Sequence, residues 1–255
     1  MNRNIRYYRN EANIRDRNFP KVLDYARGEY LKLLNDCVYL NNESLHYIKE
    51  CIAKYKNQSN ALFFTSGYIY TAYSDVIVLN SLDDYIRAVS IGTTNNNMFG
   101  CWRRDWETIQ EKARYALLKL QQVDWSCQIV NNNKITILCN RDVLTYCSTP
   151  QMTRTKYNWF KVHLDNYYTI LQPYHENGDI SDQTLKNDRK VLLNFYKPFL
   201  YQIYLFHRNR GFDTKGTMSI FYKWYKHDSF FYLFFLTMPF SFVFRKAVQF
   251  VRRRI

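Results

Sequence analysis

The run Tyr30 to Leu34 is strand-like and leads straight into Asn35-Asp36-Cys37. A carboxylate just past the end of a strand is a natural anchor for a hard divalent cation such as magnesium or manganese, which takes oxygen ligands. Cysteine is a poor companion there: its thiol is mostly protonated near neutral pH, and its thiolate favours softer metals. Cys37 therefore has three readings: a packing residue in an unrelated turn, the neighbour of an Asp36 that acts alone, or the mark of a decayed site. Arg103 and Arg104 reach phosphates or form an ordinary solvated pair. Asp83 and Asp84 follow Ser81 and read as helix-capping acids rather than a metal motif. The five histidines show no metal spacing, and no Ser-His-Asp set or phosphate-cradling glycine loop is legible.

The acidic turn needs a strand before it and helices around it. Phe19 to Arg27 has helical spacing and stops at Gly28; Ser44 to Tyr55 reads as a second helix. ALFFTSGYIY, DVIVLN and KITILCN are strand-like, and Ile5 to Tyr8 is read as a short strand. Ser81 caps a helix through YIRAVSI. Trp106 to Gln122 is read as one helix, which leaves Asp124 between a helix and a strand. From Tyr157 the pattern turns helical and aromatic, with His175 to Arg189 as a flexible surface segment. The expected fold class is α/β, with a core over residues 1–155 and a helical aromatic and basic appendage over 156–255.

Composition narrows the classes. The chain has 255 residues, 47% hydrophobic and 18% aromatic, with only 7 Gly and 5 Pro, which argues against a disordered or collagen-like chain. A net charge of +14 suits an anionic partner. The charge is dispersed and no nucleic-acid-binding motif emerges, so no nucleic acid is expected. Six cysteines without a C-x-x-C pair read as free thiols in a reducing compartment. MNRNIRYYRNEANIRDR lacks the apolar run of a secretory signal, so a cytoplasmic chain is expected. Ser229 to Phe244 is apolar but interrupted by Pro239, and Arg245, Lys246 and Arg252 to Arg254 follow it. That tail suits the surface of an anionic membrane, with a buried helix as the alternative.

Over about forty residues, IRYYRNEANIRDRNFPKVLDYARGEYLKLLNDCVYL resembles the nucleotide-binding half of family 2 glycosyltransferases. Those enzymes carry a strand ending R-N-E-x-N-I-G-x-D-x-N-F, a helix ending A-x-G-E-Y and a strand ending L-L-x-D-D. Arg9, Asn10, Glu11, Asn13, Ile14, Asp16, Asn18, Phe19, Ala26, Gly28, Glu29, Tyr30, Leu33, Leu34 and Asp36 carry the match. FGCWRRDWE, QQVDWSCQIV and YNWFKVHLDNYYTILQPY are similar to the acceptor-side region of the bacterial polysaccharide and capsule members.

The resemblance implies an incomplete GT-A-like (Rossmann-like) sheet that transfers a sugar from a nucleotide-diphosphate sugar, with inversion, to a polysaccharide or lipid-linked glycan at the inner membrane face. It places Asn13, Asn18, Asp36, Arg103 and Arg104 on the donor, and a divalent metal (Mg or Mn) at Asp36 and the position of Cys37. Asp124 becomes the catalytic base, with Asp105 as alternate, and Trp102, Trp125 and His163 face the acceptor. Asp124 also has a plain reading as a capping or surface acid, and His163 as a packed histidine. Three departures stand out. Cys37 replaces an acid, Arg15 follows Asn13-Ile14 where the family has glycine, and the strand-turn-helix unit that opens such enzymes is expected to be missing. A non-catalytic membrane-associated protein that keeps the fold is the alternative, and a basic nucleic-acid-binding protein the more distant one.

Overall fold

The computed structural model describes residues 6–67, 69, 74–147, 157–205 and 213–237. It is mixed α/β, built from short strands and many helices. Arg6 to Tyr8 are irregular and exposed rather than a strand, and Ile5 lies outside the described residues. Helix α1 (Asn18–Tyr25) gives way at Ala26 to β1 (Tyr30–Lys32), then the acidic turn and β2 (Val38–Tyr39). Asn41 opens α2 (Asn42–Tyr55) by accepting the Ser44 N–H at 2.7 Å. That helix buries Ile48, Cys51 and Tyr55 along one face.

The main sheet has β6 (Thr136–Cys139) in the middle, parallel to β3 (Ala61–Phe64) and antiparallel to β4 (Val76–Leu79). All four residues of β3 and of β6 are buried, β6 as the central strand and β3 between β6 and β5 (Gly100–Trp102). Strand β1 pairs antiparallel with β5, which lies alongside β3. The Tyr30 hydroxyl joins the layers by donating to Leu62 O at 2.8 Å. Strand β2 pairs antiparallel with β7 (Thr145–Tyr146).

Between β4 and β6 lie α3 (Leu82–Val89), α4 (Arg103–Thr108) and α5 (Gln121–Asn132). Ser81 caps α3 by accepting the Asp84 N–H at 3.0 Å, the capping expected of that segment. Asp83 does more, accepting from Ser181 N–H at 2.7 Å and the Thr184 hydroxyl at 2.8 Å across a helix–helix contact. The single helix expected over Trp106 to Gln122 does not form. Glu111 and Lys119 take φ values of 47° and 65°, which no α-helix tolerates, so the chain turns between them. Helix α5 begins only at Gln121 and carries Asp124 in its first turn.

Residues 159–176 are continuously helical, with a π-helical stretch Lys161–Asn166 leading into α6 (Tyr167–Glu176). Helices α7 (Asp182–Tyr204), α8 (Thr217–Tyr225) and residues 229–237 complete the described chain. One apolar cluster runs from Leu23 through Leu138 to Phe234, so these helices share a core with the strands. His175 to Arg189 is not a loose surface segment either: most of it is helix, and Ile180, Thr184 and Asp188 are buried. Among the described residues no helix is long and apolar enough to cross a membrane, and 238–255 of the expected tail lie outside them.

Asp188 makes the packing of α7 sensitive to pH. Its carboxylate accepts hydrogen bonds from the Ser90 hydroxyl and, at 2.9 Å, from the Tyr168 hydroxyl. Burial nevertheless pushes its pKa from 3.8 up to about 6. A carboxyl that holds its proton longer when folded costs the native state stability as pH rises from about 4 to about 6. Asp188→Asn keeps hydrogen-bonding capacity and removes that cost. Across that window the variant should gain about 2 kcal/mol on the parent protein, read from urea midpoints.

Candidate functional site

The β1–β5 register fixes where each candidate residue lies. Tyr30 faces Trp102 and Lys32 faces Gly100, so the residues after β5 return to the start of β1. Arg103 N–H accordingly donates to Glu29 O at 2.8 Å. Asp36 follows the other end of the strand. Glu29 and Asp36 are seven residues apart, up to about 23 Å of extended chain. Trp102, Arg103 and Arg104 thus lie at the opposite end of β1 from the acidic turn.

Both arginines are committed to the ends of helices. Arg103 donates to Gly28 O at 3.1 Å and to Ala26 O, just past α1. Arg104 donates to Lys56 O at 3.3 Å and Gln58 O at 2.6 Å, just past α2. A guanidinium at a helix C-terminus satisfies carbonyls left without intrahelical donors. They border a groove of about 490 Å³ with Arg27, Lys56 and Glu107, distant from Asp36.

Both candidate tryptophans are buried, although Trp102 also lines that groove. Trp102 is buried edge-on to Tyr30, with centroids 5.2 Å apart. Trp125 is buried between Phe99 and Trp106 at 5.2 and 5.0 Å, and its indole N–H donates to Lys112 O at 2.9 Å. Asp124 is equally enclosed: Oδ1 accepts from the Tyr174 hydroxyl at 2.7 Å and from Arg114, and Oδ2 from Gln128 at 2.9 Å. These donors occupy the carboxylate that was expected to act as a base. Asp105 sits against the other end of α5, where Oδ1 accepts from Asn133 at 3.3 Å while the buried Oδ2 has no partner among the described residues. Burial raises its pKa. The two acids are separated by most of α5, about 14 Å of helix.

At the other end of β1 the acidic turn is pinned from one side. Asn35 N–H donates to Asn97 Oδ1 at 2.7 Å, and the Lys32 ammonium donates to Asn97 O and, at 3.2 Å, to Phe99 O. Burial lowers the Lys32 pKa to about 7. Asp36 is exposed, and Cys37 packs partly buried beside Val38. The donor set does not fit a hard divalent cation. One carboxylate beside a thiol supplies too few oxygens, and among the described residues no cluster of three His, Cys, Asp or Glu converges on a metal position.

A polar seam runs from this turn to a second cavity. Gln122 Nε2 donates to Thr94 O at 2.8 Å, and Thr94 Oγ1 meets His163 Nδ1 at 3.4 Å. Burial lowers the His163 pKa to about 4, so the ring is neutral at pH 7. Gln121 Nε2 donates to Asp16 O at 2.6 Å, reaching the turn that begins at Asn13. Asn13, Arg15, Asp16, Arg17 and Lys119 there line a cleft of about 410 Å³. Asn18 is not among its lining residues and accepts from Asn10 Nδ2 at 2.8 Å. Along the seam, the buried oxygens Asn96 Oδ1, Gln121 Oε1 and Gln122 Oε1 have no donor among the described residues. Sequence reasoning missed Lys32, Asn97, Gln121, Gln122 and Lys119. The three consecutive asparagines at 95–97, a strong turn signal, were the available clue.

Comparisons of the chain with family models, with curated proteins and with solved structures gave no match. The contrast between the two ends of β1 is testable. Arg103→Met should destabilise the fold by about 1 to 2 kcal/mol in urea unfolding, because the carbonyls of Ala26 and Gly28 lose their donor. The same variant should leave the cleft lined by Asn13, Arg15, Arg17 and Lys119, at a different place in the fold, unperturbed in its amide chemical shifts.

Proposed function

We propose that the seam and its cleft bind a nucleotide-diphosphate sugar, and that the chain is a family 2 type glycosyltransferase acting on a polysaccharide or lipid-linked glycan, or a remnant of one. The observation that carries this reading is the cleft, in which Asn13 shares one cavity with Arg15, Arg17 and Lys119. Three cations around a cavity of that size suit a diphosphate. The unpartnered acceptors of Asn96, Gln121 and Gln122 are buried outside the cleft's lining, where they suit enclosed water along the seam. Asp36, exposed past β1, is placed in this reading at the ribose hydroxyls, and no step is routed through a metal. The GT-A-like sheet, the inverting chemistry and the peripheral membrane placement come from the resemblance. The placement also draws on Leu233 and Leu236, 60% and 70% exposed on the helix that leads into the basic tail.

One observation favours the non-catalytic alternative. Asp124 is held by Arg114, Tyr174 and Gln128, and both candidate stacking tryptophans are buried, so donor binding without transfer fits the enclosed base.

Isothermal titration with uridine, guanosine and thymidine diphosphates should give saturable binding to at least one of them. Arg17→Ala and Asp36→Ala should each weaken it several-fold, and added salt should reduce the Arg17 contribution. Folded protein that binds none of the three contradicts the proposal. Hydrolysis or transfer of a bound donor sugar separates the enzyme from the non-catalytic form.

A further inference from the structure

Two of the six cysteines escape burial: Cys37 is half-buried and Cys147 exposed, whereas Cys51, Cys101, Cys127 and Cys139 are buried. The two lie far apart in sequence but meet at one end of the β2–β7 ladder. Val38 faces Tyr146 and Tyr39 faces Thr145. One step outward along both strands sets Cys37 opposite Cys147, and the Cys147 N–H donates to Cys37 O at 2.9 Å. Residues directly opposite in an antiparallel pair project their side chains from the same face. The Cα separation usual for a hydrogen-bonded pair, about 5.5 Å, lies within the range a disulfide spans.

We propose that Cys37 and Cys147 form a redox pair that closes to a cross-strand disulfide and fastens the acidic turn to β7. The reaction needs an oxidant, and a low-molecular-weight disulfide such as oxidised glutathione supplies it. The Cys147 thiolate attacks one glutathione sulfur, forming a mixed disulfide and releasing one glutathione thiolate. The Cys37 thiolate then attacks Sγ of Cys147, the mixed disulfide breaks, and a second glutathione leaves. The two protein thiols are oxidised and the glutathione disulfide is reduced; the two protons lost by the cysteines end on the two released glutathiones. The bond closes the whole segment from Cys37 to Cys147 into one loop, which restricts the unfolded chain more than the native one. It also gives Cys37 a role at a position where a metal-binding acid was expected. The pairing rests on strand register alone and stands whether or not a nucleotide binds.

Cys51 and Cys139 are the competing pair, because their buried side chains touch. Their burial denies a glutathione-sized oxidant the access that Cys147 offers. The test treats native full-length chain with oxidised glutathione, blocks remaining thiols and maps peptides without reduction. The expected product is one link joining the Cys37 and Cys147 peptides, with a higher Tm that dithiothreitol returns to its starting value. Cys37→Ser and Cys147→Ser should each abolish the link and the Tm rise, leaving the remaining cysteine as a glutathione adduct. Stable glutathione adducts on both cysteines of the parent protein, or a link between any other pair, would overturn the proposal.

Discussion

The three-residue ladder between β1 and β5 is the constraint on which the rest of the site depends. Its tightness is visible at Gly100, where a Cβ would lie 2.9 Å from Leu31 O and 2.6 Å from the Tyr30 hydroxyl. That hydroxyl is itself bonded to Leu62 O, so it cannot swing away without uncoupling β1 from β3. A side chain at position 100 would therefore push the two strands apart. With the register held, Arg103 is bound to the start of β1 and Asp36 to its end. The basic pair and the acidic turn are separated by the strand that joins them.

The same ladder sorts the positive charge into two kinds. Many of the cations are structural: Arg103 and Arg104 bind helix-end carbonyls, Arg114 neutralises Asp124, and Arg189 grips Asp228 through two nitrogens. Lys161 and Lys223 converge on Asp165. Each offsets a carboxylate or carbonyl whose burial without a partner would be costly. Arg15, Arg17 and Lys119 are different, exposed around the cleft that Asn13 helps to line. A net charge of +14 says little about function until these uses are separated. Once they are, exposed cations remain at two cavities: Arg15, Arg17 and Lys119 around the cleft, and Arg27 and Lys56 beside the groove at the start of β1.

Local signals in the sequence carried much of the fold. Tyr30 to Lys32 form a strand, α2 and α3 start at side-chain caps, and β6 lies where a run of apolar β-formers predicts a buried strand. The failures came from long-range partners. Trp106 to Gln122 has a helical pattern, but the turn through Lys112 is fixed by the Trp125 indole, a contact no local window contains. Trp125 looks like a sugar platform because a tryptophan beside an aspartate says nothing about which face is covered. Asp124 looked like a base until Tyr174, fifty residues on, closed over it. The acidic turn was legible as a motif, whereas Asn97 and the seam behind it became visible only when strands and helices were brought together.

Amide hydrogen exchange with and without a saturating nucleoside diphosphate locates binding without presupposing an activity. Ligand bound in the seam should protect amides at 13–17, 35–37 and 94–98 while leaving 102–107 unchanged. Protection confined to 102–107, around the groove at the opposite end of β1, would contradict the assignment of the site.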